Sequence, residues 1–288
     1  MPLVKLNFKP GVDKESTDYA NTTGWYDTDK VRFRMGVPEK IGGWVVRSAS
    51  PFVGVCRSLL PWVALSGEEH IGIATSKKLY VEVGDTPTDI TPIRASSTIN
   101  NNPFAIVSGS ATVTVTDTSH GAVEGDYVTF SGCGATGDAT LTAAVLNAEY
   151  PIDSITDDDT YVFTASASST STTSAVGGAS VVAEYQINIG LDFEVTGTGF
   201  GTSTFGRSTW GSSFGTAVSV AAQLRMWFQA SFGEDLLANI YNGGIYFWDL
   251  SVGTGTRAVA LSSLSGSSGA PTVCRRILVA AESRHAVA

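Results

Sequence analysis

Long apolar runs, paired cysteines and clustered histidines are missing from this chain of 288 residues, and no lysine or arginine occurs between Arg94 and Arg207. Nothing approaches the roughly 18 consecutive apolar residues that a membrane-crossing helix needs, so no direct membrane span is expected. The opening MPLVKLNFKPGVDKE has no basic segment followed by a long apolar core. It does not read as a secretory signal, and folding in a cytoplasm is expected. The three cysteines, Cys56, Cys133 and Cys274, are odd in number and lack C-x-x-C spacing, which makes them small buried residues in expectation. His70, His120 and His285 form no H-x-x-x-H or H-E-x-x-H arrangement that would hold zinc. Asp153 with Asp157, Asp158 and Asp159 invites a calcium reading, but the loop glycine and terminal glutamate of an EF-hand are absent.

Catalytic signatures are equally scarce. There is no G-x-S-x-G, no P-loop and no dinucleotide fingerprint. The expectation is a protein that is not an enzyme, with no catalytic residues, no metal and no cofactor. A glycosidase escapes this kind of argument, because its two carboxylates are distant in sequence. No basic cluster or helical reading motif points to sequence-specific nucleic-acid binding.

Charged residues make up 16% of the chain and apolar residues 43%, with 31 glycines. This balance is that of a β-rich protein with many turns. Residues 1–30 are polar, with isolated aromatics, and read as an extended arm. In Val31–Met35 the period of two places Val31, Phe33 and Met35 on a buried face and Arg32 and Arg34 on the other. Gly36 and Pro38 then end the strand, and Trp44 anchors a further strand over 44–47. The arginine pair needs either a solvent face or a neighbouring subunit.

Residues 31–107 read as the first part of a host domain, and 108–184 as an inserted acidic module. The module carries ten acidic residues and no basic one. Alternating runs at 111–116, 126–130, 148–155, 160–165 and 179–185 predict a small β-barrel or β-sandwich. The Ser/Thr-rich 166–174 is expected to be a loose loop. Residues 185–288 read as the second part of the host. In them, 199–215 repeats an aromatic-glycine pair at Phe200, Phe205, Trp210 and Phe214. Such a loop either staples onto its own domain or inserts between subunits.

EHIGIATSKKLYVEV and DLLANIYNGGIYFWD share one plan: an apolar strand, a short polar turn, and a second strand with aromatics. With the acidic module removed, their spacing is about two units of 40 to 50 residues, the period of propeller blades. The fold class is therefore all-β: a β-propeller-like host with a small inserted β module. RRILVAAESRHAVA reads as a strand, a turn and the start of a return strand, as in a piece of a longer parent protein.

GVDKESTDYANTTGWYDTDKVRFRMGVPEKIGGW (11–44) resembles the start of the nozzle, or tail-tubular-B-like, proteins of short-tailed bacteriophages. LYVEVGDTPTDITPIR (79–94), VTVTDTSHGAVEGDYVTFSG (113–132) and FGEDLLANIYNGGIYFWDL (232–250) are similar to segments that follow it in that family. The resemblance implies a virion component assembled in the host bacterial cytoplasm. In that role it is a homohexameric ring extending the DNA-ejection channel below the portal and adaptor. The implied partners are other copies of the chain, the adaptor or head-to-tail connector, a tail fibre or tail-tip protein, and DNA in non-specific transit. Arg32, Arg34 and Trp44 are candidate subunit or adaptor contacts, and Phe200, Phe205, Trp210 and Phe214 candidate loop contacts. The alternatives are a receptor- or glycan-binding tail protein and, behind it, a propeller glycosidase.

Overall fold

The computed structural model describes residues 9–15, 17, 19–43, 45–46, 50–99, 101–192, 224–280 and 286–288. Trp44 and the whole loop 199–215, with Phe200, Phe205, Trp210 and Phe214, lie outside the described residues. The chain divides into two units, Met1–Arg47 and Ser48–Ala288.

The first unit holds a hairpin of β1 (Val31–Arg34) and β2 (Val37–Lys40), with Arg34 opposite Val37. Both loop residues, Met35 (φ 51°) and Gly36 (φ 82°), are left-handed, as a two-residue turn matched to strand twist requires. This corrects the expected strand face. Val31 and Phe33 are half-buried, but Met35 sits at the turn and is 95% exposed, and Pro38 continues the pairing opposite Phe33. The arm before it is not simply extended: Val12 bridges Trp25, and the Trp25 ring meets Phe33 edge-on at 6.1 Å. Residues 45 and 46 are in no strand.

The second unit begins with a four-stranded antiparallel meander, β3 (Cys56–Val63), β4 (Glu69–Thr75), β5 (Leu79–Val83) and β6 (Thr86–Asp89). The next strands are β7 (Ile93–Ile99), β8 (Phe104–Ile106), β9 (Thr112–Thr116), β10 (Tyr127–Ser131), the single-turn helix α1 (Ala143–Leu146), β11 (Glu149–Asp157), β12 (Thr160–Thr164), β13 (Thr173–Val176) and β14 (Val181–Gln186). Their eight strands form one sheet in the order β13-β8-β9-β12-β11-β10-β14-β7. The inserted module thus includes β7 and β8, which the sequence assigned to the host. A second meander follows, β15 (Trp227–Phe232), β16 (Asp235–Ile240), β17 (Ile245–Trp248) and β18 (Val259–Ala260). Last come β19 (Leu278–Val279) and β20 (Ala286–Val287), which pair with each other. Four antiparallel strands in sequential order are the form of a propeller blade, and the host contains two such sheets.

The module's sheet folds over itself without closing into a barrel. The first residues of β11 pair with β10 and its later residues with β12, with register shifts after Ile152 and Ile155. A strand that changes partner across bulges turns a corner. Phe104 on β8 thereby meets Phe130 on β10 edge-on at 5.1 Å, although several strands separate them in the sheet. Alternation supplies the filling: Val113, Val115, Val128, Phe130, Tyr161 and Phe163 all point inward.

The stretch expected to be a loose loop is held by one carboxylate. Asp138 Oδ1 accepts from Thr140 N, Thr140 Oγ1 and Leu141 N at 2.8 to 3.0 Å. Asp138 Oδ2 accepts from Ser169 Oγ and from the amides and hydroxyls of Thr170 and Ser171 at 2.7 to 3.0 Å. Desolvation pushes this carboxyl upward, but the donors from Leu141, Thr140, Ser169 and Ser171 outweigh it and hold it far below its usual range. The cysteine expectation holds for Cys133 and Cys274, whereas Cys56, at the start of an edge strand, is exposed.

The two host sheets face each other through Trp62, Ala74, Leu79 and Val81 on one side and Trp227, Leu236, Ala238 and Trp248 on the other. Each donates an indole N–H to the other's backbone: Trp62 Nε1 to Glu234 O at 2.9 Å, and Trp227 Nε1 to Thr75 O at 2.7 Å. Between them Gly72 allows close approach, since a Cβ there would collide with Gln229 Oε1.

Trp227→Phe keeps an aromatic ring but removes the bond to Thr75 O and part of the buried indole, and should cost about 1 to 3 kcal/mol in urea unfolding. Asp138→Asn should lower the melting temperature at pH 7. Because the folded carboxyl sits below its unfolded value of 3.8, its stabilisation is complete above roughly pH 5 and is lost as pH falls below about 4. Melting curves from pH 7 to 2 should therefore show the gap between wild type and variant narrowing on the acid side.

Candidate functional site

Cross-strand register decides what the hairpin arginines do. Arg32 lies opposite Glu39, and its Nε and Nη2 both reach Glu39 Oε2 at 3.1 Å. Both side chains are about half exposed, a setting in which such a pair contributes roughly 0 to 1 kcal/mol. Arg34, exposed on the same face, has no side-chain partner among the described residues. Around it Met35 and Val37 are exposed, and further along the unit Tyr19, Val45 and Val46 are more than four-fifths exposed. The alternation predicted an exposed arginine face, and the structure has one, with Arg32 paired inside its own hairpin.

A second constellation was not legible in the sequence. Lys78, in the turn between β4 and β5, is 4% exposed and donates from Nζ to Asp89 Oδ2 at 2.8 Å and to Glu149 Oε1. The ammonium also lies 4.3 Å from the centre of the Tyr127 ring. Arg257, just before β18, spans the same two acids, with Nη1 3.3 Å from Asp89 Oδ1 and Nη2 3.2 Å from Glu149 Oε2. Gln186 Nε2, at the end of β14, donates to Glu149 Oε2 at 2.5 Å. Lys78 and Asp89 belong to the first host sheet, Glu149, Gln186 and Tyr127 to the module, and Arg257 to the second host sheet. Two cations and two carboxylates thus fasten three sheets together.

Burial pushes Asp89 upward, but Lys78, hydrogen bonding by Thr91, and Arg257 overcome that and hold its carboxyl below the usual value. Burial also raises the phenols beside it, Tyr127 in direction and Tyr80 to about 12, so both are neutral near pH 7. A carboxylate held ionised against cations, as Asp89 is, serves as a fastening, whereas a general acid needs a raised carboxyl. Lys78 followed Lys77 in a polar turn, and nothing local to Glu149, 71 positions away, marked it as a partner.

The acidic run considered for calcium is used inside the module. Asp153 Oδ2 accepts from Thr164 Oγ1, Asp157 Oδ1 from Asp159 N, and Asp159 Oδ1 from Ser119 N, at 2.7 to 2.9 Å. Among the described residues no group of three acidic, histidine or cysteine side chains is placed to hold a metal ion. A cleft of about 280 Å³ lies where the module meets the second host sheet, lined by Arg94, Arg225, Tyr241 and Tyr246 among others. Arg225 donates to Asn188 O and lies 5.9 Å from the Trp227 ring centre, and burial lowers its guanidinium pKa.

No family model and no curated protein matches the chain. Among solved structures, the chain is similar to the phage phi92 endosialidase at a TM-score of 0.26 and 16% identity. That match covers 77% of this chain and 31% of the endosialidase chain.

Lys78→Met removes the shared cation and leaves two half-buried acids against one arginine. It should cost about 3 to 5 kcal/mol in denaturant unfolding. Limited proteolysis should then cut first between module and host, around residues 89–93 or 186–190.

Proposed function

We propose that this chain is a structural subunit of a short-tailed phage tail, building the nozzle ring that extends the DNA-ejection channel below the portal and adaptor. The observation that carries the reading is the first unit, 9–46 among the described residues. Its sequence bears the family resemblance, and it leaves Met35 and Val37 of an arginine-bearing hairpin exposed, together with Tyr19, Val45 and Val46 elsewhere in the unit. A two-stranded hairpin is marginal by itself, and apolar side chains exposed at this density mark a surface meant to be covered. A ring requires different patches on the two flanks of each subunit, and Arg32 and Arg34 belong to such a contact or to the contact with the adaptor.

The remaining features fit this role. The two stacked meanders give a stiff wall, and the module is a surface decoration fastened by the Lys78 cluster. A conduit must also release DNA, and phosphate affinity grows with every lysine or arginine presented to it. A chain with no basic residue between Arg94 and Arg207 presents few. The second reading, a receptor- or glycan-binding tail protein, draws on the cleft lined by Arg94, Arg225, Tyr241 and Tyr246, a mixture of cations and aromatic rings suited to an anionic sugar.

Light scattering and negative-stain imaging of the purified protein, alone and with the adaptor ring, separate the two. A hexameric ring with an axial hole, free or nucleated on the adaptor, is the expected result. A monomer or trimer that ignores the adaptor and binds host glycans would replace the nozzle reading with the receptor-binding one.

A further inference from the structure

At one end of the host, where the β3–β4 and β15–β16 turns lie side by side, a groove of about 790 Å³ opens to solvent. Its apolar lining includes Val63, Leu65, Phe232 and Leu250, and Leu65 is 92% exposed. Four carboxylates stand around it: Glu68, Glu234, Asp235 and Asp249. Among the described residues none of the four is paired with a lysine or arginine. Glu234 Oε1 accepts from Leu65 N, Asp235 Oδ1 from Leu250 N and Asp249 Oδ1 from Ser251 N, so three of them are held in place by the backbone. Burial, with Asp249 and Glu234 close by, raises the Asp235 carboxyl despite the bond from Leu250 N.

Behind this rim lies His70, 1% exposed and stacked on Trp62 with ring centres 5.3 Å apart. Among the described residues neither ring nitrogen has a hydrogen-bond partner, and Nε2 is turned toward Glu68 Oε2 at 3.7 Å. An apolar floor ringed by uncompensated acids calls for a ligand with an apolar tip and cationic flanks.

One segment of this same sequence has that chemistry. The β1–β2 hairpin ends in a tight turn that exposes Met35 and Val37, with Arg34, which has no side-chain partner among the described residues, beside them and Arg32 one step behind. The charge balance of the two units is complementary as well. Met1–Arg47 contains eight basic and six acidic residues, and Ser48–Ala288 contains ten basic and twenty-one acidic.

We infer that the groove between the β3–β4 and β15–β16 turns receives the Arg34-Met35-Gly36-Val37 hairpin tip of a second copy of this chain. Met35 and Val37 enter the apolar floor, and Arg32 and Arg34 meet the Glu68 and Glu234 side of the rim. The contact is heterologous, tip of one copy into groove of the next, which is the kind that closes into rings. The inference rests on the ring-forming reading above and names the two surfaces that would build it.

Cross-linking tests it in full-length chains carrying Cys56→Ser, since Cys56 is the exposed native thiol. One chain carries Met35→Cys, the other Leu65→Cys, and a short bis-maleimide is added to each alone and to the mixture. Covalent dimers should form in the mixture and not in either chain alone. In parallel, Arg32→Glu/Arg34→Glu should weaken self-association about tenfold or more at low salt. Mixing that variant with Glu68→Lys/Glu234→Lys should restore it.

If rings form but neither charge reversal nor mixing has an effect, the inference fails and the nozzle reading stands. A monomer at every concentration, with and without the adaptor, overturns both. A dilute Met35→Cys/Leu65→Cys double variant that cross-links only within one chain overturns the second copy as occupant.

Discussion

The position of the module on its host depends on a buried ammonium group. Lys78 is nearly inaccessible, and it is tolerable there because Asp89 and Glu149 share it and an aromatic face lies over it. Arg257 balances the second negative charge, so the group as a whole is neutral. Such a cluster contributes little net stability when complete, because desolvation offsets most of the attraction. Its value is directional. Any relative shift of the three sheets leaves a charge without its partner, so a single arrangement is favoured over neighbouring ones. The tryptophans act alike at the sheet-to-sheet interface, where the reciprocal indole bonds fix register between faces that apolar contact alone would let slide.

Much of this architecture could be read in the residues, for a physical reason. Strands with one face buried advertise it by alternation, as β9, β10, β12 and β14 do, and the Ile71/Ile73 and Leu79/Val81/Val83 spacing marks β4 and β5, whereas β16 and β17 show as two apolar runs on either side of Asn242-Gly243. β7 was not legible, because its inward face carries Ser97, bonded to Asp117, between Ala95 and Ile99, and a polar inward residue dilutes the period. β13 was hidden in the Ser/Thr run, where three of its four residues are exposed. The order in that run comes from Asp138, about thirty positions earlier, through bonds that no local pattern encodes.

The candidate sites divide along the same line. Arg32 and Arg34 showed themselves by period, but the buried face beside them was drawn one residue too long, since Met35 takes the turn. The Lys78 cluster and the acid-rimmed groove bring together residues from distant parts of the chain, and their components look like ordinary turn residues in isolation. Sequence pattern reports what each strand does with its own two faces. It is silent on what the ends of several strands do together.

The pairing of β7 with β14 has a consequence for how the chain reaches this structure. The module leaves and rejoins the host on neighbouring antiparallel strands, and Ile187 N bonds to Pro92 O at 3.0 Å. Once the module is folded, those two points are joined by a single hydrogen bond instead of a long loop. The search by the second meander for the first is then shortened by the entire inserted segment, because closure entropy depends on the length of chain still free. An insertion that raises the apparent contact order of the sequence thus imposes little of the kinetic delay that such separation ordinarily brings.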